Sequence, residues 1–164
     1  MSKGDTQLIL FKSQNQENYL TKAVNDGNLN ALEQAKGALL TFSTEGIAKL
    51  EVVKAFNGDA SLKLACSQLL KFYSQESKDK TKPNVDYLIE KEKFEKIKKS
   101  FDAKSQNSRT KEDVDQFNKA VNDYNQVLNA YNKNNQELNA ARTKAFDTWS
   151  NAVKNFLDRQ VPQK

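Results

Sequence analysis

Histidine does not occur in this chain of 164 residues. Because histidine is the commonest general base near neutral pH and the commonest transition-metal ligand, its absence excludes Ser-His and Cys-His catalysis and the Glu-x-x-His sites of di-metal bundles. Cysteine occurs once, as Cys66, so no intramolecular disulfide is available. With Leu62, Leu69 and Leu70 around it at helical spacing, Cys66 reads as a small buried apolar residue, not a reactive thiol. Long hydrophobic runs are missing as well. The run Leu8-Ile9-Leu10-Phe11 falls far short of the roughly 18 residues of a membrane span. Glu90, Glu92 and Glu95 are separated by lysines and face no matching carboxylate pair, and Asp26-Gly27-Asn28 lacks the ligand loop and closing glutamate of a calcium hand. The sequence therefore predicts no enzyme, no cofactor and no bound metal.

Glycine and proline are scarce, five and two residues, and neither occurs between Asn84 and Val161. Within that stretch Val114, Phe117, Val121, Tyr124, Leu128, Tyr131, Leu138, Ala145, Trp149, Ala152 and Phe156 recur at steps of three and four or their sums. The pattern is one stripe of a helix about fifty residues and roughly 75 Å long, and a repeat sustained this far implies pairing along a seam.

The remaining punctuation divides the chain into four helical segments. The first runs from about Asp5, a candidate cap, to Val24, with Leu8, Phe11, Tyr19 and Ala23 facing inward. Asp26-Gly27-Asn28 ends it, and Asn28 is placed to cap the second, which spans about Leu29 to Phe56. In that second stripe Ala35 and Gly46 are small, which admits either close approach of a partner helix or local irregularity. Asn57-Gly58-Asp59 is the next boundary, with Asp59 as the cap of a third helix carrying Leu62, Leu69, Phe72 and Tyr73. Pro83 is expected to break this third helix. A polar loop at 105–110 follows, where Thr110 and Asp113 resemble a capping pair for the final helix, which Val161-Pro162 terminates. Short links at Gly27 and Gly58 force neighbours to be antiparallel. The predicted fold is all-α, one domain over residues 1–164, an up-down-up-down four-helix bundle with a long C-terminal helix and a third helix broken near Pro83.

The net charge of +5 is spread along the chain. Residues 1–77 hold eight basic and eight acidic side chains, 78–104 nine and six, and 105–164 nine and seven. Lysines neighboured by acids, with i,i+4 pairs such as Glu92 with Lys96, describe a solvated face and give no footprint for specific nucleic-acid binding.

Two features of the last helix go beyond architecture. Asn118, Asn125, Asn132 and Asn139 each follow a seam residue, and Asn122 and Asn129 widen the stripe. Mid-helix asparagine costs a few tenths of a kcal/mol relative to alanine. The candidate partner-binding flank is Asn118, Asn122, Asn125, Asn129 and Asn132, an amide ridge edged by aromatics that suits a protein or glycan; the plainer reading is a polar bundle flank. Asn135 and Arg142 fall where the seam expects apolar residues, so they either set helix register or mark a place where the bundle opens.

Leu69-Leu70-Lys71-Phe72-Tyr73, the run Glu92-Lys93-Phe94-Glu95-Lys96-Ile97-Lys98-Lys99-Ser100-Phe101-Asp102, Asn118-Lys119-Ala120-Val121-Asn122-Asp123-Tyr124-Asn125, and Trp149, Asn151, Phe156-Leu157 and Val161-Pro162 resemble an uncharacterised family of bacterial helical, lipoprotein-like cell-surface proteins. The resemblance covers roughly residues 29–162. It implies export, attachment to the envelope and no catalytic activity. No cysteine near the start stands ready to carry a lipid. The expected function is a noncatalytic binding or structural protein of the cell envelope, or secreted, on the assumption of a removed export signal. The alternative is a cytoplasmic helical adaptor or assembly subunit.

Overall fold

The computed structural model describes residues 3–160, with side chains from Thr6 onward, and it is all-helical. The elements are α1 (Lys3–Asn25), α2 (Leu29–Val52), α3 (Ser61–Gln75), a π-helical turn (Glu76–Lys80), α4 (Lys82–Asp102), a 3₁₀ turn (Gln106–Ser108) and α5 (Lys111–Gln160). Among the described residues no strand forms. The Val161-Pro162 stop lies outside the described residues, as does the Asp5 side chain; the backbone is already helical at Lys3, so Asp5 stands inside α1 and does not cap it.

Local chemistry sets the boundaries. Asn28 Oδ1 accepts from Ala31 N at 3.0 Å and starts α2. Thr110 and Asp113 form a reciprocal capping box at the head of α5, each backbone N–H bonded to the other's side chain at 2.9 and 3.2 Å. Helix α2 stops at Val52, short of the expected Phe56, because Val53 turns extended. The following turn places Asn57 and Gly58 at φ +48° and +81°, and Asp59 Oδ1 then accepts from Ser61 N at 2.9 Å.

Side-chain contacts give each pair its direction. Ile9 meets Gly46 and Lys12 lies over Phe42, Ser77 bonds Lys36 O while Lys63 bonds Val53 O, and Tyr73 packs on Phe146 while Ser61 meets Arg159. Each pair of helices thus runs antiparallel: α1 with α2, α2 with α3, and α3 with α5. Gly46 explains the closest approach. A Cβ there would stand 3.0 Å from Leu70 and 3.1 Å from Ile9, so three helices meet where any larger residue would push its neighbours aside. The core around this point is Leu10, Leu32, Leu39, Leu50, Leu69, Leu70 and Tyr73, with Cys66 buried among them as expected.

Two expectations about packing need correction. In α1 the inward stripe is Thr6, Leu10, Ser13, Glu17, Leu20 and Ala23-Val24, whereas Leu8, Phe11 and Tyr19 are 71, 57 and 59% exposed. The inner stripe is anchored by Leu10, Leu20 and Val24 and by Glu17, which Arg142 of α5 pairs. In α5 only Leu138, Trp149 and Phe156 of the expected seam are buried; Tyr124, Leu128 and Tyr131 are half-buried and Val114 is exposed. Over this first half α5 has α4 as its main neighbour, and one neighbour covers a helix from one side only. There α4 and α5 interlock through a ladder of rings: Tyr87 stacks on Tyr131, Phe94 on Tyr124 and Phe101 on Phe117, with centroids 4.4, 4.9 and 4.3 Å apart. Arg109 closes the tip, its guanidinium 4.1 Å from the Phe101 ring. We call this paired segment the arm and the remainder the base.

Between α3 and α4 the change of pattern begins seven residues before Pro83. The α-helical pattern gives way at Glu76 to the π turn, and Pro83 sits in the first turn of α4, where its missing N–H is not needed.

Leu69→Ala should lower the unfolding free energy by about 2–5 kcal/mol, and Leu128→Ala by less, about 1–2 kcal/mol, because Leu69 is fully buried and Leu128 only partly covered; urea melts of the two variants measure the difference. Gly37, helical and with nothing within 4 Å of the place an added methyl would occupy, gives the opposite sign from Gly46. Gly37→Ala should stabilise by about 0.5–1 kcal/mol through helix propensity, and Gly46→Ala should destabilise by about 1 kcal/mol because crowding outweighs that gain.

Candidate functional site

Arg142 is the seam residue that should have been apolar. It lies on α5 between two carboxylates from different elements. Its Nε donates to Glu17 Oε1 of α1, its Nη2 to Glu76 Oε1 of the π turn at 3.0 Å, and its Nη1 to Asn139 Oδ1. Glu17 is 7% and Glu76 2% exposed. Two buried carboxylates share one guanidinium, so full ionisation leaves a surplus negative charge in low dielectric. Burial first, and then the neighbouring Glu17, push the Glu76 carboxyl up to about 8 against the opposing pull of Arg142. Near neutral pH Glu76 therefore holds a proton. Tyr73, fully buried beside it, is pushed upward by burial and by the same two carboxylates.

The π turn brings Glu76 inward. Such a turn frees backbone carbonyls from the α pattern, and side chains from other elements take them up. Asn134 Nδ2 of α5 donates to Lys80 O at 2.8 Å, and Thr81 Oγ1 donates to Ser77 O at 3.0 Å. Ser77 Oγ in turn donates to Lys36 O of α2 at 2.8 Å.

Next to the ion trio, a cleft of about 200 Å³ separates α1 from α5. Leu20, Val24, Tyr131 and Leu138 supply apolar walls, Asn135 and Asn139 supply amides, and Glu76, Asn84 and Arg142 lie along it. Glu76 Oε2 and Asn84 Oδ1 are buried acceptors to which no protein donor is bonded. The reading of Asn135 and Arg142 as an opening in the bundle describes this cleft. Register is served too, since Arg142 ties α5 to α1 and to the π turn at once.

The five flank asparagines lie elsewhere. Asn118, Asn122, Asn125, Asn129 and Asn132 are all exposed. They share one solvent-facing side of α5, along the arm, and the structure does not bring them to the cleft. Sequence reasoning missed Glu17, Glu76, Asn84 and Asn134. For Glu17 a signal existed, a glutamate at the spacing of Leu10, Ser13, Leu20 and Val24, and it was hidden by taking Leu8 and Phe11 as the inner face. Asn84 and Glu76 carried no signal, because their burial depends on the π turn. Among the described residues no group of three or more Cys, Asp or Glu side chains converges as a metal site, and none of the helices is long and apolar enough to cross a membrane. Cys66 is pushed up to about 12 by burial, away from the thiolate.

Compared with protein-family models, curated proteins and solved structures, the chain matches none.

Glu76 makes stability depend on pH in a defined direction. Glu76 binds its proton more tightly folded, at about 8, than at the ordinary 4.5, so its contribution is fully present below about 4.5 and is lost as pH rises through about 8. Thermal melts from pH 5 to 9 should show a falling midpoint, and Glu76→Gln should flatten that fall. An unchanged slope in the variant would assign the titration to other groups.

Proposed function

We propose that this protein is a noncatalytic helical binding or structural protein of the bacterial cell envelope, built as an up-down-up-down four-helix bundle from which the arm presents a partner surface. One observation carries the reading. Along the arm α5 keeps an aromatic seam for α4 and turns all five flank asparagines to solvent, a ridge of amides beside ring edges that offers both apolar area and directional hydrogen bonds. The partner class is a protein or a glycan. The envelope assignment rests on the family resemblance, and no cofactor, metal or nucleic acid has a part in it.

A second reading, a cytoplasmic helical adaptor or assembly subunit, is favoured by a different feature. Leu8, Phe11 and Tyr19 face outward from α1, and exposed apolar side chains on one helix face suit assembly with another chain.

Joint replacement of Asn118, Asn125 and Asn132 by alanine separates the two. The triple variant should remain folded by circular dichroism, with a melting point at or above that of the parent because alanine favours helix, and should lose capture of envelope proteins or cell-wall glycans by at least about tenfold, as expected when several buried interface hydrogen bonds are removed. Undiminished capture, or fractionation that finds the native protein wholly in the cytosol, would turn the assignment to the second reading.

A further inference from the structure

The cleft between α1 and α5 has features that neither packing nor the arm explains. Its interior end presents Glu76, 2% exposed, and Asn84, 4% exposed, each with a buried oxygen to which no protein donor is bonded. Both unmet groups are acceptors. Charge points the same way: Glu17 and Glu76 together outnumber Arg142, so a visitor carrying positive charge completes the set, and one carrying negative charge meets two carboxylates. A proton on Glu76 would serve one of the acceptors and leave Asn84 Oδ1 unmet. Of the other charged side chains of the π turn, Lys80 is already paired with Glu137 at 3.0 Å, and Lys78 and Asp79 do not line the cleft.

We propose that this cleft binds a small organic primary ammonium ion, its N–H donors directed at Glu76 and Asn84 and its carbon chain lying against Leu20, Val24 and Leu138. The volume of about 200 Å³ admits a short alkyl body. The apolar walls suit that body, and a bare metal ion would leave them idle. A primary ammonium has three N–H donors, enough for two oxygens and one further partner such as a cleft amide. Binding is an exchange of cations. The ammonium enters, the carboxylic proton of Glu76 leaves to solvent, and Arg142 stays paired throughout. Affinity should therefore rise with pH while the amine itself remains charged. This site is separate from the asparagine flank, so either stands without the other.

Calorimetric titration of the full chain with n-butylammonium and with 1,4-diaminobutane, at pH 7 and 8.5 in buffers of different ionisation enthalpy, tests the proposal. The expected result is saturable one-to-one binding, about 5- to 10-fold tighter at pH 8.5, with proton release at pH 7. n-Butanol, lacking charge, and tetramethylammonium, lacking N–H, should not bind. Glu76→Gln should weaken binding by at least about tenfold and remove its pH dependence, and Asn84→Ala should weaken it severalfold and keep that dependence. Should Glu76→Gln fail to fold, Asn84→Ala decides alone. Absence of saturable binding by either amine at millimolar concentration, equal binding of tetramethylammonium, or affinities indifferent to both substitutions would overturn the proposal and leave the cleft as a solvent pocket.

Discussion

Because α5 runs unbroken through 50 residues, everything packed on it must follow one 3.6-residue stripe, and its two halves meet different neighbourhoods. Near Trp149 and Phe156 the stripe is enclosed by the base and its residues are buried. Near Tyr124 it meets chiefly α4, and the same stripe is only partly covered. The change from one regime to the other falls between Tyr131 and Arg142. There the chain sets amides and a guanidinium on the stripe, and the segment packed opposite answers with a π turn. The polar junction marks where a helix shared by two packing arrangements passes between them.

Buried ion clusters are seldom a source of net stability, since desolvation of the charges offsets their attraction. Here the trio has another consequence. Glu17, Glu76 and Arg142 come from α1, the π turn and α5, so a rotation or slip of any one of these elements leaves an unpaired charge in the interior. A slip of α1 by one heptad step would carry Glu17 away from Arg142. Register in this base is fixed by what misalignment would cost more than by what alignment contributes.

What the sequence made legible was local. The Asn28 cap and the Thr110–Asp113 box each depend on a few adjacent residues and one known geometry, and each is present, whereas Gly46 left close approach and local irregularity equally open until Ile9 and Leu70 were seen to crowd it. The all-helical class and the extent of α5 follow from a periodicity that no competing structure sustains. The phase of α1 was not legible. Its inner face mixes Thr6, Ser13 and Glu17, the last paired with Arg142, among its leucines, while Leu8, Phe11 and Tyr19 form a competing apolar stripe on the opposite side. The candidate cleft was half legible: Arg142 and Asn135 announced themselves as polar residues on an apolar stripe, but their partners are brought in by α1 and by a π turn, and neither has a sequence signature of its own.

The distribution of aromatic residues has a spectroscopic consequence. Trp149, the sole tryptophan, is buried in the base, whereas Tyr87, Tyr124 and Tyr131 stack in the arm. Tryptophan emission therefore reports on one half of the molecule, and the near-ultraviolet dichroism of coupled tyrosines is weighted toward the other. Since the arm rests on a single helix pair, with little fully buried area, its opening belongs to the low-energy end of the native ensemble. The chain thus carries its own pair of optical probes for separating fraying of the arm from global unfolding.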